Sequence, residues 1–326
     1  MKPGGAAPSS RRSLQLFPFR NWGDGLFLAI VASVAFALLG VFCLLVLILV
    51  QGSWITLQEY GWGFLFSTQW SPGQIHTTFG AVPFIEGTLV TSAIAMLLAV
   101  PVSLGIAIFL SEQSPNWLRT PLGSLVELLA AIPSVIYGFW GIFVLVPIMR
   151  FDVEPALQKM FPGNPLFAGP ASGSDVLTAS VILAVMVIPT ISALSRDALS
   201  AVPQSQREAA LSLGATKWET TRMAVLKYAR SGIVGAIILG LGRAVGETMA
   251  VTMTIGNMDG TFTSLLSQGQ TMASLIATEM GGADYAQYRS AVVEIALILL
   301  AITILINVGA RILIWRMVRK TGEVTA

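Results

Sequence analysis

Two charged residues with a spacing suited to joint action, Arg243 and Glu247, lie in an otherwise apolar stretch of the sequence. Residues four positions apart on a helix share a face, so these two side chains are predicted to lie within reach of each other. Arginine presents planar, forked donors that suit an oxyanion, and a neighbouring carboxylate would balance its charge when no anion is bound. The alternative is a structural pair that neutralises itself or joins two helices. Both interpretations stay open on the residues alone.

Small residues flank this pair and would let another helix approach closely; they are Gly242, Gly246 and Ala250. Motifs for other chemistry are absent from the sequence. No lysine follows a glycine, so a nucleotide-binding G-x-x-x-x-G-K loop cannot be assembled. The single histidine, His76, cannot build a catalytic triad with a second one, and the single cysteine, Cys43, cannot form an internal disulfide. The sequence therefore predicts no enzyme, no metal site and no cofactor in this chain.

The composition places these residues in a membrane. Apolar residues make up 54% of the chain and charged residues 11%, where a soluble domain carries about 25% charged residues. A span needs about 20 apolar residues. Windows of that length predict an all-α integral membrane protein with six spans, at 25–50, 87–110, 122–149, 176–195, 231–255 and 291–315.

The fifth predicted span begins at Ser231 and contains Arg243 about 18 Å along its axis, near the membrane centre. A charge at that depth is costly and needs a partner or a wet pathway. Three other charged residues fall near predicted span ends, where their side chains can reach the headgroups or pair locally, and reaching the headgroups is favoured; they are Glu127, Glu294 and Arg311.

The basic residues predict the orientation. Of 19 lysines and arginines, 14 fall on the side of the N-terminus, three on the other side and two within spans, which places both termini in the cytoplasm. The predicted organisation is a cytoplasmic tail at 1–24, the first span with an extracytoplasmic segment at 25–83, a core at 84–315 and a cytoplasmic tail at 316–326. Three tryptophans of the extracytoplasmic segment are expected to anchor at the interface; they are Trp54, Trp62 and Trp70.

A cytoplasmic elbow is predicted at 203–230, between the fourth and fifth spans. Pro203 suits the start of a helix, and Gly214 suits a left-handed stop. Thr216 and Glu219 have capping-box spacing, so a second helix is predicted to begin at once. A plain amphipathic connector on the membrane surface is the alternative.

The segment R-E-A-A-L-S-L-G from Arg207 resembles the EAA signature of ABC importer permeases, whose elbow docks on a cytoplasmic ATPase. The resemblance implies that Glu208, Ala209, Ala210 and Gly214 are the coupling positions. It covers about 84–315, and three further segments make it most similar to permeases of the phosphate-specific importer. These begin at Leu128 (LLAAIPSVIYGFWG), Ile188 (IPTISALSRDAL) and Gly242 (GRAVGETMAV). Lys227 departs from the family, which usually has proline there.

This resemblance implies a permease subunit in the bacterial inner membrane that conducts inorganic phosphate. The implied partners are a second permease subunit that is a homologue of this chain, two ATP-binding subunits and an extracytoplasmic phosphate-binding protein. The surrounding surface meets membrane lipid, and the nearly balanced charge excludes a nucleic-acid partner. Sulfate or molybdate as cargo, and a secondary transporter or channel as class, remain alternatives.

Overall fold

The structure is a computed structural model that describes residues 22–73 and 77–322. The first 21 residues of the predicted N-terminal tail, His76 and the last four residues lie outside the described part of the chain. The chain divides into two compact units, residues 1–48, which carry most of the first helix, and residues 49–326.

Within the described ranges the regular structure is helical. β-structure there is limited to isolated bridges, Ser71 with Thr78 and Gly256 with Gly269. The α-helices in chain order are α1 Trp22–Gly52, α2 Trp54–Tyr60, α3 Gly63–Phe66, α4 Val82–Ile108, α5 Asn116–Ala131, α6 Ser134–Trp140, α7 Val146–Ile148, α8 Glu154–Met160, α9 Val176–Ser200, α10 Gln204–Ser212, α11 Lys217–Thr220, α12 Leu226–Val245, α13 Met249–Thr252, α14 Met272–Glu279 and α15 Ala286–Gly322. Short π-helical and 3-10 segments add Phe109–Gln113, Gly141–Leu145, Met149–Val153, Thr221–Val225 and Pro165–Phe167.

Six helical stretches in the described residues are long and apolar enough to cross a membrane, which confirms the predicted fold class. They are Gly23–Gly52, Val82–Gln113, Ser134–Met160, Val176–Ser200, Lys217–Val245 and Ala286–Ile312. The last helix runs past the predicted boundary at 315, to Gly322.

The third predicted span, 122–149, was placed wrongly, because it straddles a helix break. α5 ends at Ala131, Ile132 is extended (ψ 129°), and α6 begins at Ser134. The cause is Pro133, whose ring disfavours helical geometry in the residue before it and removes a backbone donor. The continuous stretch long enough to span is Ser134–Met160, with α5 as a separate helix before it.

The fifth predicted span, 231–255, was also misplaced. The helical stretch begins at Lys217 and ends at Val245, where Gly246 takes the C-cap position. The basic residues at its start lie on continuous helix, because a π-helical segment joins α11 to α12 without a break. Residues 249–252 form only a single short helix beyond the cap.

The main core lies where α4 and α9 pack along each other and α12 packs on α9. Small residues make this close approach possible: Ala95 and Ala99 of α4 are fully buried. A Cβ atom on Gly240 of α12 would stand 2.5 Å from Ile191 Cγ1, so only glycine fits there. This packing holds the middle of α9 beside the C-terminal part of α12.

Two further clusters close the ends of the second unit. One joins residues 64–84 to α14 and the start of α15, with Trp70 packed edge-on against Phe79 and Phe84. The other joins the C-terminal ends of α4 and α9 to the start of α12, around Leu199 and Val225.

Candidate functional site

The predicted elbow is present in the structure. α10 ends at Ser212, and Gly214 (φ +85°) lies in the left-handed region that favours glycine. The amide of Ala215 donates to Ala210 O at 3.3 Å, and that of Gly214 donates to Leu211 O at 2.9 Å, which closes the helix end. Thr216 and Glu219 then form the predicted capping box at the start of α11.

The predicted coupling residues lie on the exposed side of this elbow. Glu208, Ala209 and Gly214 are exposed, and Ala210 is half-buried. A Cβ atom on Gly214 would meet nothing within 4 Å, so the space beside the turn is open. The small side chains and the turn of the elbow are therefore accessible to another protein.

Arg243 lies in the last turn of α12, and its position is fixed by α9. Its Nη1 donates to the Thr190 hydroxyl at 2.9 Å. Thr190 is 14 residues from Val176 and ten from Ser200, or about 21 and 15 Å along the helix axis. The guanidinium therefore lies near the middle of the membrane-crossing length of α9, as the sequence predicts.

Glu247 does not pair with Arg243, which corrects the prediction made from their spacing. Ion pairs in the described part of the chain include Arg196–Glu127, Arg196–Asp197 and Arg207–Glu112, and none is seen between Arg243 and Glu247. The four-residue rule fails here because the helix ends at Val245, before Glu247. Glu247 Oε1 instead accepts from the amide of Ala250 at 3.4 Å, at the start of α13.

The small-residue stripe is likewise interrupted. Gly242 is on α12, Gly246 is its cap, and Ala250 is on α13, fully buried in the core of this chain. A Cβ atom on Gly242 would meet nothing within 4 Å, so that face of α12 is open. Irregular backbone at membrane depth is tolerated only where protein covers it or it lines a wet cavity.

The site therefore consists of the C-terminal end of α12, an arginine in its last turn and a threonine that orients the arginine. Both Arg243 and Glu247 are half-buried. Thr190 was not predicted as a site residue, although it lies in the I-P-T segment that carries the resemblance. A hydroxyl directly after Pro189 in an apolar span is the signal that identifies it in retrospect.

The three charged residues expected near span ends differ in their surroundings: Glu127 pairs locally, Glu294 is buried and Arg311 is exposed. Glu127 lies on α5, inside the predicted third span but outside the spanning stretch Ser134–Met160, and pairs with Arg196 at 2.7 Å. Glu294 is only 3% exposed, and its Oε2 has no hydrogen-bond partner among the described residues. Arg311 is exposed, as expected.

A second set of polar contacts surrounds Glu279. It joins loops of the second unit at the end that is far from the elbow. Glu279 Oε2 accepts from Trp70 Nε1 at 3.0 Å and from the Tyr288 hydroxyl at 2.9 Å. Burial raises the pKa of Glu279; nearby Asp259 adds to that rise, and the two hydrogen bonds oppose it. Trp70 is thus buried in protein rather than anchored at the interface, whereas Trp62 is 80% exposed.

These features define a multi-pass membrane permease. Comparison with known proteins gives the family: the sequence signature described as "Binding-protein-dependent transport system inner membrane component" matches residues 99–319. The chain belongs to this family of inner-membrane permeases. Both the break at Gly246 and the elbow fall inside the matched region.

Curated relatives agree with the predicted resemblance over nearly the full length. The chain is 46% identical over 300 residues to "Phosphate transport system permease protein PstC" of Xylella fastidiosa strain Temecula1, covering 91% of each chain. It is 43% identical over 311 residues to the protein of that name from Haemophilus influenzae, covering 93% of this chain and 97% of the relative. The predicted relation to phosphate-importer permeases is confirmed.

A solved structure confirms the fold. A chain of the bacterial alginate ABC transporter, in complex with an alginate pentasaccharide-bound periplasmic protein, matches with a TM-score of 0.58 at 15% identity. The match covers 90% of this chain and 98% of that one. At this identity the likeness concerns architecture, which is that of an ABC importer permease.

Proposed function

We propose that this chain conducts inorganic phosphate across the inner membrane as the permease subunit of an ATP-driven importer. The observation that carries the proposal is Arg243, held by Thr190 near mid-membrane where α12 stops. A guanidinium has five N–H donors, and Thr190 takes one of them. The remaining donors and the positive charge suit an oxyanion that has lost part of its water.

Glu247 has a different role in this proposal from the one its spacing suggests. Since its Oε1 accepts from the amide of Ala250 in the first turn of α13, it holds the chain in place just beyond the end of α12. It therefore lies beside the pathway without cancelling the charge of Arg243. An anion entering the gap meets a positive group that has no carboxylate bound to it.

Coupling is assigned to the elbow, through Glu208, Ala209, Ala210 and Gly214. Their exposure supports docking on a separate cytoplasmic ATPase, which binds the ATP. This chain itself is proposed to need no cofactor and no metal. The other partners are a homologous second permease subunit, a second ATPase subunit and an extracytoplasmic phosphate-binding protein, with membrane lipid around the assembly and no nucleic acid.

The orientation proposed for this assembly places both termini and the elbow in the cytoplasm. The bias of basic residues toward the elbow side supports it. In that orientation α12 begins on the cytoplasmic side and Arg243 lies at its far end, so the phosphate would meet Arg243 from the extracytoplasmic side.

The test is uptake by the reconstituted complex in vesicles, with the binding protein added outside. Labelled phosphate, sulfate and molybdate are supplied separately, with ATP enclosed or omitted. We expect phosphate uptake that needs both ATP and the binding protein. Preference for sulfate or molybdate would change the cargo, and uptake without ATP would indicate a secondary transporter.

A further inference from the structure

The elbow is attached to the rest of the chain by few buried groups. Among the residues of α10, only Arg207 and Ala210 are half-buried and the others are exposed. α10 packs against the π-helical segment that leads into α12. Apolar burial alone therefore gives this helix little attachment, and the contacts of Arg207 become important.

Arg207 forms a forked ion pair with Glu112. Its Nη2 donates to Glu112 Oε1 at 2.8 Å and its Nε donates to Oε2 at 3.2 Å. The two side chains are 17% and 11% exposed, so water screens the pair only in part. Glu112 lies in the π-helical segment Phe109–Gln113 that continues α4.

The same guanidinium also holds the end of α9. Nη2 donates to Leu199 O at 3.0 Å, and Nη1 donates to Val202 O. Leu199 and Val202 are buried in the cluster that joins α4, α9 and α12. One side chain of the elbow thus contacts the ends of both helices that form the main core.

We propose that the Arg207–Glu112 pair is a positioning contact that transmits displacement of the elbow to α4. The inference rests on the proposed function, since it assumes that an ATPase moves α10. Because the forked geometry fixes both distance and angle, α10 cannot shift without carrying Glu112 with it. Arg207 and Glu112 act through helix position and touch neither phosphate nor ATP.

The test replaces Glu112 by Gln, which keeps the shape of the side chain and removes its charge. We expect E112Q complexes to retain the ATPase subunits at wild-type stoichiometry and to keep basal ATP hydrolysis. Phosphate transported per ATP hydrolysed should fall about fivefold, the factor that corresponds to a modest loss of interaction free energy. A loss of docking would instead remove the ATPase from the complex.

Glu127→Gln is the matched control. It removes the carboxylate of another arginine pair, Arg196–Glu127, which joins α5 to α9 without contacting α10. Its transport per ATP should equal that of the wild type.

A wild-type ratio in assembled E112Q complexes would overturn the inference while leaving the proposed function intact. If E112Q does not assemble, E112D is tested instead, because it keeps the charge and shortens the side chain. A lowered ratio of phosphate transported to ATP hydrolysed in E112D supports the transmission role, and an unchanged ratio overturns it. A wild-type complex that binds its ATPase and takes up no phosphate contradicts the proposed function instead.

Discussion

Replacing Arg243 by Gln tests the centre of the proposed pathway. Gln keeps a polar side chain at this position but loses the charge and most of the donors. Because the Arg243–Thr190 hydrogen bond joins α12 to α9 beside an already packed core, the variant should insert and assemble normally. Basal ATP hydrolysis should continue, since the elbow is distant from the substitution.

The size of the effect follows from the donors that are lost. A hydrogen bond to a charged group contributes about 1.5–3 kcal/mol, and an oxyanion beside Arg243 could accept about two. Water enters a half-buried site and replaces part of these hydrogen bonds, so we take about 3 kcal/mol as the loss of interaction free energy. Uptake at low phosphate should then fall about 100-fold. Arg243→Lys keeps the charge without the fork and should lose about tenfold.

The assay is phosphate uptake into vesicles over a range of phosphate concentrations, beside ATP hydrolysis by the same preparation. Arg311→Gln is the matched control, because it removes an arginine from α15 that is exposed. Its uptake should stay within twofold of wild type. If assembled Arg243→Gln complexes transport phosphate at the wild-type rate and apparent affinity, Arg243 is outside the pathway.

Three further predictions concern topology, coupling and pH. In a background whose native cysteine is replaced by serine, Thr68→Cys should react with an impermeant reagent from outside and Ser205→Cys only from inside; the reverse pattern would invert the orientation. Gly214→Val should lower binding-protein-stimulated ATP hydrolysis more than tenfold, whereas Gly163→Val, with a similar positive φ and free space, should not; equal losses would mean that strain alone is responsible. Burial raises the pKa of Glu279, so its carboxyl group loses its proton at a lower pH in the unfolded chain than in the folded chain. The free energy of unfolding therefore falls as pH rises above the ordinary glutamate range. Glu279→Gln should therefore raise the melting temperature by about 2 °C at pH 8 and not at pH 4; an equal shift at both would show that the charge is irrelevant.

The elbow could be predicted from sequence because its signals are local. Gly214 ends one helix, and Thr216 with Glu219 begins the next, within a few residues of each other. Each signal satisfies backbone groups at its own position and needs no distant partner. The structure accordingly reproduces this part residue by residue.

The interior of the membrane region was predicted less well, because apolar windows do not distinguish a continuous helix from a broken one. Pro133 divides one predicted span, and Gly246 ends another before Glu247. The partner of Arg243 is 53 residues away, at Thr190, and only packing of α12 on α9 brings them together. Contacts at that separation depend on the fold and leave no spacing pattern in the sequence.

The end of α12 beside the middle of α9 has an electrostatic consequence. The carbonyl groups of a helix's last turn carry a partial negative charge, equivalent to about half an electron. Arg243 lies in that turn and opposes this charge, and Glu247 accepts from a free amide at the start of α13 across the gap. The end of α12 and the start of α13 thus each have a compensating group, which stabilises the interruption between the two helices. A neutral residue at 243 would leave the carbonyl end uncompensated and make the gap repel an approaching anion.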